Sequence, residues 1–225
     1  MKNSLGNSTL YLKQIPIGPM DNFAYLVGDC KTKECLAVDP AWDAEVILKE
    51  AQQDGMKVIG VLLTHTHYDH ANALGNLIKS APGKVYVHSA EADFVKEAGE
   101  AIVKTKDGDK INVGAVQITC LHTPGHTPGA QCYLVESKDG SGPQKYLISG
   151  DTLFVNACGR CDLPGGDAGQ LYDSLSRLAT LGDDVVVMPG HDYGDTPVSS
   201  IGRERKHNPY YQMRSREDFV RGRQR

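Results

Sequence analysis

The segment Thr64-His65-Thr66-His67-Tyr68-Asp69-His70 puts three imidazoles and a carboxylate within six consecutive positions, directly after the apolar run VIGVLLT. Neutral imidazole and carboxylate are ligands suited to zinc or iron, and burying four such groups together without a cation is costly. In an extended chain alternate residues share a side, so His65 and His67 face one way. Asp69 and His70, where the chain turns toward a helix, face a second position. Three further polar groups stand at the ends of apolar runs beside glycine or proline: His126 in HTPGHTPG, Asp151 in ISGDTLF and His191 in VMPGHDY. Strand ends at one edge of packed sheets bring their loops together. Three histidines and a carboxylate then surround one ion, and Asp69, His70 and His191 surround a second, with Asp151 shared.

The elements that must hold these groups follow from periodicity. LYLKQIPI, NFAYLVGD and CLAVDP read as antiparallel strands, Ala44 to Ala51 as an amphipathic helix stopped at Asp54-Gly55, and VIGVLLT as a strand buried on both faces. ANALGNLIK and AEADFVKEAGE read as helices around the short strand VYVHS, followed by strand-like INVGAVQITCL. AQCYLVES and KYLISGD are strands about a Lys138-to-Gly142 turn, GQLYDSLSRLATL is a helix and DVVVMPGH a last strand. Two successive sets of strands and helices predict an α/β fold of two packed sheets with helices on the outer faces, in one domain over residues 1–211. Residues 212–225, rich in Arg, predict a loosely attached basic tail.

Composition narrows the partners. The 225 residues carry 24 basic and 28 acidic side chains for a net charge of −4, which provides no positive field for nucleic acid or an anionic membrane. The opening MKNSLGNSTLYLKQIPIG holds no signal-peptide core and no run of apolar residues is long enough to span a bilayer, so a cytoplasmic protein acting on a small molecule is expected. The six cysteines predict buried thiols and no disulfide framework, including the Cys158-Gly-Arg-Cys161 pair. His88 and His207 read as structural or exposed, and the sequence leaves the oligomeric state open.

HTHYDH, PGHT, GDT and PGH resemble, in order, the HxHxDH, PGHT, GD and GH motifs of the metallo-β-lactamase superfamily, and the resemblance covers nearly the whole chain. It implies an αββα sandwich with His65, His67 and His126 at a first metal, Asp69, His70 and His191 at a second, and Asp151 between them. Two divalent ions are implied, with zinc ahead of iron. It also assigns the third ligand to His126 and leaves His122 to support it.

GDTLFVNACGR with GHDY resembles the glutathione-linked branch, glyoxalase II and persulfide dioxygenase. That resemblance implies substrate contacts by Arg160 and Tyr193, and a thiol conjugate, glutathione-derived, as substrate. The family's other glutathione tyrosine is replaced by Asp162, and no counterpart of the glyoxalase II helical domain follows NPYY. The expected reaction is hydrolysis of a thioester by a hydroxide held between the ions, with Asp69 orienting it. The alternative is a mononuclear iron dioxygenase using His65, His126 and Asp151. A lactonase and a non-catalytic metal protein stand behind both.

Overall fold

The computed structural model describes residues 9–139 and 144–223. Part of the expected Lys138-to-Gly142 turn, the first eight residues and the last two of RGRQR lie outside the described residues.

Strands β1 (Leu10–Ile17), β2 (Asn22–Asp29) and β3 (Glu34–Val38) form an antiparallel meander. Helix α1 (Ala44–Gln53) then crosses to β4 (Lys57–Leu62), which lies parallel to β3. Asp43 starts α1 by accepting from the N–H groups of Glu45 and Val46 at 2.9 and 3.2 Å, and Gly55 stops it in the left-handed region at φ 68°. Short helices α2 (Tyr68–Ala71) and α3 (Leu74–Ser80) lead to β5 (Lys84–His88), and β6 (Ile102–Thr105) closes the first six-stranded sheet in the order β1-β2-β3-β4-β5-β6.

The second sheet is built from β7 (Lys110–Val113), β8 (Val116–His122), β9 (Gln131–Ser137) and β10 (Lys145–Gly150). After the two-stranded ribbon of β11 (Leu153–Phe154) and β12 (Ala157–Cys158) comes α4 (Ala168–Leu178). The chain continues through β13 (Val186–Pro189), β14 (Ser199–Ser200), α5 (Ile201–His207) and α6 (Arg216–Arg223). The order is β14-β13-β10-β9-β8-β7, with β10 and β13 parallel.

Side-chain alternation decides which residues fill which layer. In β2, Phe23, Tyr25 and Val27 point between the sheets against Ile118, Tyr133 and Ile148, while Ala24 and Leu26 point outward to Ile47 of α1 and the helix-side core. On the far side Leu147 and Val187 pack beneath Leu171, Leu175 and Ile201. The αββα sandwich expected from the sequence is the fold observed.

Two expectations require correction. AEADFVKEAGE does not form one α-helix: it makes 3₁₀ turns at Ala92–Phe94 and Lys96–Ala101, broken where Gly99 adopts φ 52°. The described part of the expected tail, through residue 223, is not loosely attached, because 216–223 form α6, whose Phe219 is fully buried against Tyr172 and Tyr210. Burying one phenylalanine contributes about 1.5–3 kcal/mol, enough to anchor a short helix that is otherwise mostly charged. Arg223 then donates to the Gly159 carbonyl at 2.7 Å, tying the end of α6 to the loop after β12. All six cysteines are free, Cys158 and Cys161 are both buried, and burial pushes the Cys158 thiol up to about 12. No helix among the described residues is long and apolar enough to cross a membrane.

Candidate metal centre

Four ligand-bearing loops meet at the C-terminal ends of β4, β8, β10 and β13. Backbone bonds stitch the two sheets together there, Phe23 N–H to the Gly190 carbonyl at 2.8 Å and Gln131 N–H to Thr64 at 2.9 Å, and Gly190 N–H to Gly150 at 2.9 Å holds the ends of β13 and β10 side by side. Glycine is required at 190, where a Cβ would stand 2.4 Å from Asp151 Oδ1.

All seven predicted ligands come together on this edge. His65 Nε2 lies 3.1 Å from His67 Nδ1, which lies 2.9 Å from His126 Nε2. Opposite, His70 Nε2 is 3.1 Å from His191 Nε2, with Asp69 Oδ2 at 3.6 and 3.4 Å from the two. Asp151 lies between the triads: Oδ1 is 3.2 Å from His70 Nε2, and Oδ2 is 3.6 Å from His126 Nε2 and 3.4 Å from His191 Nε2.

In the neutral rings the facing nitrogens of His65, His70, His126 and His191 are bare, because the outer nitrogen of each donates elsewhere. His126 Nδ1–H donates to the Arg160 carbonyl at 2.7 Å and His191 Nδ1–H to the Met20 carbonyl at 2.8 Å. Those oxygens only accept, so the tautomers follow. Asp39 accepts from His70 Nδ1 at 3.0 Å and from the Thr64 hydroxyl at 2.6 Å. With its proton spent on Asp39, Thr64 Oγ1 accepts from His65 Nδ1 at 3.1 Å.

Bare nitrogens about 3 Å apart repel unless a cation stands between them, and the ligand atoms of a tetrahedral zinc bound at ~2.0–2.1 Å stand ~3.3 Å apart. Asp151 Oδ1 is also buried without a hydrogen-bond partner. This donor set fits divalent cations: His65, His67 and His126 would hold one, Asp69, His70 and His191 a second, and Asp151 is within reach of both. A structural site is closed by four ligands, whereas these triads with a bridge leave positions for water or substrate.

The two triads differ in proton affinity. Burial, then the neighbouring His70, pushes the His65 imidazole well below the ordinary histidine range, and burial with His126 lowers His67. Burial also disfavours charge on His70, but Asp151 and Asp39 outweigh it and hold that ring well above its usual range. His191 is raised through Asp151, and Asp151 is held well below the carboxylate range by His70 and His191 despite its burial. A cation entering the second triad must therefore displace a proton, so its affinity there rises with pH.

His122, four residues before His126, stays off the cluster. It stacks on His88 with ring centroids 4.0 Å apart, and its Nε2–H donates to the Pro128 carbonyl at 2.9 Å, supporting the loop that carries His126. Tyr193 lies flat on His191, centroids 4.5 Å apart, about half exposed at the rim. The Arg160 guanidinium makes a fork to Asp162 at 2.8 and 2.7 Å in solvent, while its backbone carbonyl orients His126. Sequence reasoning missed Asp39, whose Asp-Pro pairing signals only a turn. It also missed Asn22, which donates to Asp69 Oδ2 at 3.0 Å and accepts from Trp42 Nε1 at 2.8 Å, and the Met20 and Arg160 carbonyls, which have no side-chain signature.

This sandwich, with its edge cluster of histidines and aspartates, defines a metal-dependent enzyme of the metallo-hydrolase type. Residues 17–191 match the metallo-beta-lactamase superfamily, and the chain belongs to that superfamily. It is 33% identical over 205 residues to the "Probable polyketide biosynthesis zinc-dependent hydrolase PksB" of Bacillus subtilis (strain 168), covering 91% of this chain and 88% of that protein. It is 38% identical over 175 residues to the cytoplasmic hydroxyacylglutathione hydrolase of Arabidopsis thaliana, covering 77% of this chain and 64% of the relative. Among solved structures, ETHE1 from Myxococcus xanthus superposes with a TM-score of 0.83 at 33% identity, covering 95% of this chain and 90% of that one.

Proposed function

We propose that the chain is a cytoplasmic hydrolase of the glyoxalase II type that cleaves the thioester of a small thiol conjugate, glutathione-derived, using two divalent ions, zinc foremost. The observation that carries this reading is the pair of bare-nitrogen triads bridged by Asp151, whose buried Oδ1 has no hydrogen-bond partner. The names of the zinc-dependent and hydroxyacylglutathione hydrolase relatives support it.

When bound, the cations polarise a carbonyl oxygen and lower the pKa of water from ~15.7 toward ~7. Asp69 Oδ2, held by Asn22 Nδ2, orients the attacking water and accepts its hydrogen bond. The fixed tautomers of His70, His126 and His191 keep the donor atoms in place, so little reorganisation accompanies the change of charge at the carbonyl. Bond formation from water oxygen to acyl carbon and cleavage of C–S yield a carboxylate and a thiol. On the first-triad side Arg160 turns its fork from Asp162 to a substrate carboxylate, and on the second-triad side Tyr193 offers its exposed ring to the conjugate.

Incubation with S-lactoylglutathione under air tests the reaction: thiol and acid should be released in equal amounts with no oxygen consumed. Oxygen uptake on glutathione persulfide, without thioester cleavage, contradicts it. Arg160→Ala should raise KM about fivefold to tenfold, the ~1–1.5 kcal/mol of one hydrogen-bonded contact, with kcat and metal content kept. The rise should occur on a carboxylate-bearing glutathione thioester and not on an uncharged one. An equal loss on both substrates, with a lower melting temperature, would show that Arg160 only pins its loop to Asp162.

A further inference from the structure

Glu91 is 2% exposed, follows β5 at the start of the irregular 3₁₀ segment, and takes no direct part in the metal centre. A buried carboxylate persists only where donors satisfy it, and here the donors come from two different ligand loops. Oε2 accepts from the Thr66 N–H at 3.1 Å and from the Thr66 hydroxyl, and Oε1 accepts from the Gly129 N–H at 3.1 Å. Thr66 is the residue between His65 and His67. Gly129 is three residues past His126, in the same proline-flanked turn.

One carboxylate therefore spans the two backbones that carry all three histidines of the first triad. The groups bracing the second triad are others: Asp39 on His70, the Met20 carbonyl on His191 and Asn22 on Asp69. Among the described residues Glu91 is bonded to none of them. The glycine at 129 is part of the device, since a Cβ there would stand 2.4 Å from Glu91 Cγ and displace the carboxylate.

We infer that Glu91 is a positioning residue that sets the spacing of His65, His67 and His126 and so tunes the first metal position independently of the second. The inference rests on the two-position reading of the metal centre, but it is read through metal affinity, so failure of the thioester proposal leaves it intact. Glu91→Gln keeps the shape and volume while turning an amide N–H₂ toward one of the backbone donors, breaking the bracket on one side.

The test is zinc titration against a chromophoric chelator in two backgrounds, His191→Ala, which preserves the first triad, and His67→Ala, which preserves the second. Adding Glu91→Gln should weaken zinc about tenfold to hundredfold in the first background, the range seen when groups bracing metal ligands are removed, and less than twofold in the second. Gly129→Ala in the same backgrounds should reproduce the selective loss, and Thr66→Val, which deletes only the hydroxyl donor, should give a smaller loss at the same position. Should either background fail to fold, Gly129→Ala and Thr66→Val in the otherwise unaltered chain report the same loss as a weakening of one of two zinc equivalents. Equal weakening at both positions, or unchanged first-position affinity with only a lower melting temperature, overturns the inference and leaves Glu91 a fold-stabilising residue.

Discussion

Asp151→Ala should abolish thioester turnover, by at least about a hundredfold to a thousandfold, and reduce the metal bound per chain more than any other single replacement outside the two triads. Each triad ligand faces one position, whereas the Asp151 carboxylate faces both, at 3.2 Å from His70, 3.6 Å from His126 and 3.4 Å from His191. Its loss removes the carboxylate that, among the described residues, faces histidines of both triads, and a single electrostatic group at a reacting centre is worth about 2.7–4 kcal/mol. His122→Ala is the matched control, because that ring stacks on His88 and reaches the metal loop only through the Pro128 carbonyl. Elemental analysis and initial rates on the two variants decide the assignment. If His122→Ala emptied the site while His126→Ala left it filled, the third ligand of the first triad would be misassigned.

Asp39→Asn should weaken metal binding about tenfold to hundredfold while leaving the chain folded. Asp39 is 2% exposed and holds φ 48°, a left-handed conformation that asparagine adopts as readily as aspartate, so the backbone is retained. Its two oxygens accept from the Thr64 N–H at 2.7 Å, the Thr64 hydroxyl and His70 Nδ1. An amide cannot accept on both sides. Either the Thr64 donors lose a partner or the His70 proton moves to Nε2, where it points at the metal position and blocks ligation. Zinc competition titration measures the loss. In the unmetallated protein the same change removes one of the charges that hold His70 above its usual range, so the pH above which the second position loads should shift downward. Unchanged affinity and an unchanged loading profile would show that Asp39 braces Thr64 alone.

The clustering of the seven candidate ligands was legible because they are chemically loud and locally grouped: HTHYDH sits on the end of a run buried on both faces, and His126, Asp151 and His191 each follow an apolar strand. The two-layer arrangement was legible from the two successive sets of strands and helices, whereas the split of Phe23, Tyr25 and Val27 from Ala24 and Leu26 between the two layers was not, because all five are apolar. What stayed hidden is what acts through three-dimensional adjacency. Met20 and Arg160 orient His191 and His126 by carbonyl groups that any residue carries. Asp39 looks like a turn residue before proline, and Glu91 lies in a segment of helical composition whose side chain is drawn 25 positions back in sequence to Thr66. The C-terminal residues misled through their arginines. A single buried Phe219, with Tyr172 and Tyr210 around it, outweighs the solvation of the charges on α6.

Metal content measured together with turnover, on protein purified without chelator, addresses the central claim most directly. A centre of two triads bridged by Asp151 predicts about two divalent ions per chain, with thioester hydrolysis rising in proportion as the second ion is restored to stripped protein and no oxygen consumed. One iron per chain, full activity at that stoichiometry and stoichiometric oxygen uptake on a persulfide would contradict it.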